Sequence, residues 1–310
     1  MTEHISVLLD ETLDNLLPEG KPLQRVIDGT LGRGGHTRAL LERGVEEVLA
    51  FDLDQQAIDL ARENLAQFGD RVHIVHDNYL AMQTEVEYLG WDGVDSILLD
   101  LGVSSMQLDT AERGFAFRLD GVLDMRFNQD DNRPTAADVV NTYSEADLAD
   151  IFFKYGEERH AKRIAAAIIQ SRPHSQTSAL ADIIKAAVPI NKRKKNQPTI
   201  HPATRVFQAL RIEVNDELKT VETVLPMAIN LLKSGGRLAV ITFHSLEDRI
   251  VKNAFKEAST EIVSPPGMAS IEAKEAVVEL VNRKPIVPSD VEMSANPRSR
   301  SAKLRVVEKI

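Results

Sequence analysis

The chain has 310 residues, 43% hydrophobic and 27% charged, with a formal net charge of −10 and no cysteine. That composition supports a sizeable core in about two domains and excludes a disulfide scaffold, Cys-ligated zinc or iron–sulfur centres and thiol catalysis. The negative charge is uneven: residues 1–110 hold 7 Lys and Arg against 21 Asp and Glu, so a polyanionic partner would have to be held by the later residues.

The first residues, Met1 to Leu17, mix Glu3, Asp10, Glu11 and Asp14 with apolar side chains. This is not the basic start and unbroken apolar run of a signal peptide. No stretch reaches the roughly 20 apolar residues of a membrane span, and a cytoplasmic location without a membrane partner is expected. Four short apolar runs then read as buried strands: Arg25–Asp28, Glu47–Phe51, Val72–Val75 and Val94–Asp100. Between them lie a Gly-rich turn, a helix over 35–43, and a helix over 55–67 that Asp54 can cap. This alternation predicts a parallel sheet covered by helices on both faces.

From Gly102 to Arg133 the pattern loses its period and reads as a long loop, which in a compact domain tends to carry function. One helix is expected over Ser144–Gln170, with Ser144 and Asp147 as a capping pair, and another over 178–188. A polar break follows that contains Lys192-Arg-Lys-Lys195, then helices over 202–218 and 221–232. Arg237–Phe243 is a strand again, and the helix over 246–256 is expected to be capped by Ser245 with Asp248. After a Pro-containing stretch, Lys303–Val307 reads as a last strand. The sheet starts, gives way to helices and resumes, which predicts an α/β fold with an inserted helical domain.

Asp28-Gly-Thr-Leu-Gly-Arg-Gly-Gly-His36 follows the first strand. Glycines there let the backbone turn tightly into a helix and approach a ligand closely. Asp52 ends the second strand, where an open α/β sheet sets an acid against ribose hydroxyls. A dinucleotide and S-adenosylmethionine both suit this arrangement. The spacing is not Gly-x-Gly-x-x-Gly, and Asp28 would repel a pyrophosphate while offering acceptors to a methionyl ammonium, which favours S-adenosylmethionine. Asp77-Asn78-Tyr79 could meet an adenine edge and face, or be a simple turn. Asp100, at the end of the fourth strand, is placed either to accept from an exocyclic amine or only to bind loop amides or cofactor.

Taken in order, these strings and others resemble the bacterial 16S rRNA (cytosine-N4)-methyltransferase family over nearly the whole chain. They include Val7–Glu11, Asp28–His36, Leu98–Ser105 with Gln107–Asp109, Glu112–Phe115 and Leu123–Arg126. Tyr155–Arg159, His201–Arg205, Phe207–Ile212, Phe243–Arg249 and Asn296–Arg300 complete them. The resemblance implies a Rossmann-like class I methyltransferase sheet built from residues 1–110 and 205–310, with a helical substrate-recognition domain over 111–204. It implies transfer of a methyl group from S-adenosyl-L-methionine to N4 of a cytosine in the decoding region of 16S rRNA, in the small ribosomal subunit. The implied cofactor contacts are Gly34, Gly35, His36, Asp52, Tyr79, Asp100 and Gln107, with Asp100 also the catalytic candidate. A homodimer is left open.

Candidates for RNA contact are Arg113 and Arg118, which alternate with Phe115 and Phe117, and His244, Arg298 and Arg300. Lys303 and Arg305 extend the last patch. His244 sits next to the expected cap of a helix, so capping competes with a base-facing role. No histidine shows ligand spacing with a third partner, and no metal site is expected. The alternatives are a non-enzymatic ribosome-assembly RNA-binding factor and an NAD-type oxidoreductase.

Overall fold

The computed structural model describes residues 6–17, 23–189, 201–261 and 274–310. The basic tetrad Lys192–Lys195 lies outside them. By contact density the chain divides into two units, Met1–Gly102 with Leu218–Ile310, and Val103–Glu217. The boundaries expected at 110/111 and 204/205 differ from these, because the segments flanking the helical region make their contacts within it. Among the described residues, no helix is long and apolar enough to cross a membrane.

The first unit runs α1 (Leu9–Leu16), β1 (Arg25–Asp28), α2 (Gly35–Glu42), β2 (Glu47–Asp52), α3 (Gln55–Leu65), β3 (Val72–His76), α4 (Met82–Tyr88) and β4 (Val94–Asp100). It resumes after the second unit. Those second-unit helices are α5 (Ser105–Asp109), α6 (Ala136–Thr142), α7 (Glu145–Lys154), α8 (Ala161–Gln170), α9 (Thr177–Ala187) and α10 (Pro202–Asn215). The first unit then closes with α11 (Glu217–Leu231), β5 (Leu232–Thr242), α12 (Ser245–Ala258), β6 (Val278–Leu280), α13 (Asp290–Ala295) and β7 (Lys303–Lys309).

The seven strands form one sheet in the order β3-β2-β1-β4-β5-β7-β6. The first five are parallel, and β7 runs antiparallel between β5 and β6. Alternation along each strand fills two cores. Ile27, Leu49, Phe51, Ile97, Leu99 and Val240 face one, with Leu225 and Phe255 packed on them. Val26, Val48, Ala50, Leu98 and Ile241 face the other, with Leu13 and Leu40. This is the Rossmann-like α/β sheet that the sequence implies. The strand order reverses between β1 and β4, so the carboxyl ends of β2, β1 and β4 border the crevice where such sheets bind ligands.

The second unit has its own core, with Phe152, Ile164, Ile168, Leu180, Ile184, Val206 and Leu210 fully or nearly buried. The single helix expected over 144–170 is two. Ser144 caps α7 as expected, accepting from the Asp147 N–H at 3.2 Å. The chain then turns at Gly156, where a Cβ would stand 2.6 Å from the Arg205 carbonyl oxygen and 2.7 Å from that of Phe152. Only glycine fits that backbone approach. Buried Glu158 meets Arg205 at 3.7 Å, and Gln208 donates to the Tyr155 carbonyl at 3.0 Å. The motifs at 155–159 and 201–212 therefore lock one corner of this unit. The long loop expected over 102–133 also contains ordered elements, beginning with α5 under a Ser104/Gln107 capping box.

Candidate active site

The turn after β1 is laced to both neighbouring strands. Gly29 N–H donates to the Leu98 carbonyl at 2.9 Å and Leu31 N–H to that of Phe51 at 2.8 Å. Gly34, at φ 79°, leads into α2, and a Cβ there would lie 2.9 Å from the Leu65 side chain. The left-handed backbone and the crowding together require glycine. Asp28 is 1% exposed. Its Oδ1 accepts from Thr30 N–H at 3.1 Å and its Oδ2 from the Thr37 hydroxyl at 2.7 Å. The acid expected to meet a methionyl ammonium is thus a brace between the turn and α2. Burial pushes its carboxyl above the usual carboxylate range despite both bonds.

Asp52 closes β2 with a similar clasp. Its Oδ2 accepts from Gly32 N–H at 2.7 Å and its Oδ1 from Asp54 N–H at 2.8 Å. Burial raises its pKa to about 6, with smaller contributions from the charges of Asp54 and Asp28. Asp100 closes β4. Its N–H donates to the Thr30 hydroxyl at 2.7 Å. Burial, and then the negative charges of Asp28 and Glu247, hold its carboxyl well above the usual range. Its Oδ2 lies 3.9 Å from His36 Nδ1, and His36 Nε2 lies 3.2 Å from the Val7 carbonyl oxygen. A carbonyl can only accept, so Nε2 carries the ring proton in that contact. Asp100 Oδ1 is buried and has no hydrogen-bond partner among the described residues. A buried acceptor left unmatched costs free energy, so a donor group on a ligand would fit here.

The structure therefore gathers Gly34, Gly35, His36, Asp52 and Asp100 at the ends of three adjacent strands. Tyr79 opens the turn after β3, and a Cβ on Gly29 would stand 3.2 Å from the Tyr79 Cβ, which puts its ring base against the glycine turn. Asn78 caps that turn, accepting from Leu80 N–H at 2.9 Å. Thr30, which accepts from the Asp100 backbone N–H, and Glu247, whose charge repels the Asp100 carboxyl, are site residues that sequence reading missed. Thr30 lies inside the Gly-rich string and carried a readable signal. Glu247 meets the site only through tertiary folding.

His244, and not Ser245, caps α12. Its Nδ1 accepts from Glu247 N–H at 3.4 Å, while Glu247 Oε2 accepts from the N–H groups of Phe243 at 2.8 Å and His244 at 3.2 Å. The ring Nε2 lies 3.0 Å from Glu247 Oε1. Asp248, expected in the cap, instead accepts from Arg305 at 2.7 Å and Lys303 at 3.0 Å. That removes both cations from the proposed phosphate patch. Arg300 is exposed and Arg298 half-buried, both in the turn before β7.

In the second unit, Gln107 spends its side-chain oxygen on the α5 cap, accepting from Ser104 N–H at 3.0 Å. Arg113 is 2% exposed and donates to the carbonyls of Arg126 at 3.0 Å and Phe127 at 2.8 Å. A buried guanidinium cannot reach a phosphate, so the expectation for Arg113 is corrected: it fastens the loop. Phe115 stacks on Phe127 and Phe117 on His201, so both aromatics pack within the unit. Arg118 is exposed and paired with Asp109.

Three relatives align end to end with this chain, each called ribosomal RNA small subunit methyltransferase H. The one from Geobacter sp. strain M21 is 49% identical over 313 residues, covering 99% of this chain and 98% of the relative. That from Citrifermentans bemidjiense is 48% identical with the same coverage, and that from Heliobacterium mobile is 48% identical over 314 residues, covering 99% of both chains. The family model described as the MraW methylase family matches residues 1–310. With the family model matching the full length, the chain belongs to the MraW methylase family.

Proposed function

We propose that this protein transfers a methyl group from S-adenosylmethionine to N4 of a cytosine in the decoding region of 16S rRNA, within the small ribosomal subunit. The observation that carries the reading is Asp100 at the carboxyl end of β4, with a buried Oδ1 that lacks a partner among the described residues. The near-50% identity to relatives named for small-subunit rRNA supports the substrate.

S-adenosylmethionine supplies, when bound, an electrophilic methyl group on a sulfonium. Gly34 and Gly35 would let the backbone approach its methionyl end, with His36 beside them. Asp52 would accept from ribose hydroxyls with the lone pairs that Gly32 and Asp54 leave over, and Tyr79 would offer a flat surface to adenine. Gln107 is kept as a donor contact on the family resemblance alone.

The exocyclic amine of cytosine is a weak nucleophile because its lone pair is delocalised into the ring. A carboxylate oxygen accepting from the amine N–H localises that lone pair and takes up the charge that develops. Asp100 does this at Oδ1. Burial and the nearby acids raise its affinity for a proton, so it is suited to take the one that the amine gives up. With no cysteine in the chain, attack by N4 is direct and needs no covalent base adduct. Arg118, His244, Arg298 and Arg300 remain the proposed RNA contacts.

The test is to incubate the protein with methyl-labelled donor and small subunits lacking the modification, then digest the RNA to nucleosides. Label on N4-methylcytidine is the expected result. Label on a ring carbon, on ribose, or nowhere overturns the reading, and normal subunit binding without transfer favours the assembly-factor alternative. Light scattering of the purified protein decides whether the homodimer is part of the reading.

A further inference from the structure

Six arginines precede Gly102 in a segment that is otherwise strongly acidic: Arg25, Arg33, Arg38, Arg43, Arg62 and Arg71. Five have acceptors. Arg25 meets Asp92, Arg38 meets Glu42, Arg43 meets Asp14, Arg62 meets Asp59, and Arg71 donates to backbone carbonyls. Arg33 has no such partner among the described residues, although it is partly buried and its Nε is shielded from solvent with nothing to donate to. Its backbone is fixed: the Arg33 carbonyl accepts from Asn64 Nδ2 at 3.0 Å, Gly32 N–H is held by Asp52, and Gly34 N–H is held by the Leu31 carbonyl. A guanidinium is rarely left this way, because a desolvated donor without an acceptor is costly.

We propose that Arg33 binds the α-carboxylate of the methyl donor. This rests on the reading of the glycine turn as the donor site. The donor carries a sulfonium, an ammonium and one carboxylate. Asp28, Asp52 and Asp100 end the three strands that border the turn, and this concentration of acids is unfavourable to the anionic group. A carboxylate entering that field needs a cation beside it, and Arg33 is the unmatched cation in the turn itself. Guanidinium and carboxylate also match in shape, with parallel N–H donors facing two oxygens.

The experiment is a calorimetric titration of wild type, Arg33→Ala and Arg33→Lys with S-adenosylmethionine and with its decarboxylated analogue, which lacks only the carboxylate. A charge-assisted contact predicts that wild type prefers the carboxylate-bearing donor by roughly 10- to 100-fold. Arg33→Ala should bind S-adenosylmethionine more weakly by a similar factor, with the preference reduced to within about threefold, and Arg33→Lys should fall between. Thermal unfolding of each variant checks that it is folded, and Arg33→Lys serves if the alanine variant is not. A folded variant that keeps the full wild-type preference, or a wild type with none, overturns the proposal while leaving the donor site intact. A wild type that binds neither compound overturns the donor site and this proposal together.

Discussion

The N–H of Asp100 donates to the hydroxyl of Thr30 at 2.7 Å, so the acid ending β4 is held in place by the turn that follows β1. Replacing the hydroxyl removes the acceptor of that N–H. Thr30→Val should lower unfolding free energy in urea by about 1–3 kcal/mol, the cost of an unmatched buried donor. Thr30→Ser, which keeps the hydroxyl, should stay near wild type. A loss in Thr30→Ser with none in Thr30→Val would place the effect in packing of the methyl group instead.

Asp100→Asn tests the chemistry directly. Asparagine keeps the shape but cannot take a proton from the amine. Turnover measured at saturating donor should fall by about 10²–10⁴-fold, the usual range for a lost proton acceptor. Turnover within threefold of wild type would remove Asp100 from the reaction.

Much of this site can be read in sequence because it is local. Short apolar runs ending in acids gave β1 and β4 their observed bounds, since buried parallel strands admit little else. Asp54 capped α3 as its side chain dictates. Contacts that depend on distant residues were invisible. Lys303 and Arg305 look like free cations until folding brings Asp248 to them, and Arg113 looks like a surface arginine until its two carbonyl acceptors surround it. The break between α7 and α8 does carry a local signal, since Gly156 and the polar run Glu157-Glu-Arg-His160 interrupt the apolar spacing. His244 is hard to read as the cap of α12 in sequence, because Ser245 beside it is a stronger capping residue.

Asp52 should give stability a pH dependence of known sign. Its folded pKa is raised from 3.8 to about 6, so its favourable contribution is complete below about pH 4 and is lost as pH rises through about 6. Compared in urea unfolding between pH 4 and 8, Asp52→Asn should gain on wild type across pH 4–6 and hold a constant gap above it. A gap that does not change over that window would mean Asp52 is solvated like an ordinary surface acid.

Asp248 works in the opposite direction. Burial alone would raise its pKa, but the bonds from Arg305 and Lys303 outweigh it and hold the carboxyl below its usual value of 3.8. Its contribution is therefore present above about pH 4 and is lost as pH falls through the depressed folded value. Asp248→Asn should cost about 3 kcal/mol at neutral pH, because Arg305 is left nearly buried without its charge partner. The cost should shrink in acid. The same substitution should leave donor affinity unchanged, since the bridge fastens α12 to β7 and touches none of the acids at the glycine turn.

Arg113 and Arg118 separate structure from RNA contact within one loop. Arg113 is buried with both carbonyl acceptors in place, so Arg113→Ala should destabilise the protein by about 3 kcal/mol, the worth of charge-assisted hydrogen bonds. Arg118 is 58% exposed and its pair with Asp109 is a surface pair, which contributes little to stability. Arg118→Ala should unfold within about 0.5 kcal/mol of wild type yet weaken binding to small subunits, and should reduce the slope of log affinity against log salt by about one. The slope is the decisive reading, because a phosphate contact releases a counterion and a loop brace does not. If Arg118→Ala leaves the slope at the wild-type value, its guanidinium serves Asp109 and the Leu108 carbonyl, and the RNA contacts must be sought at His244, Arg298 and Arg300.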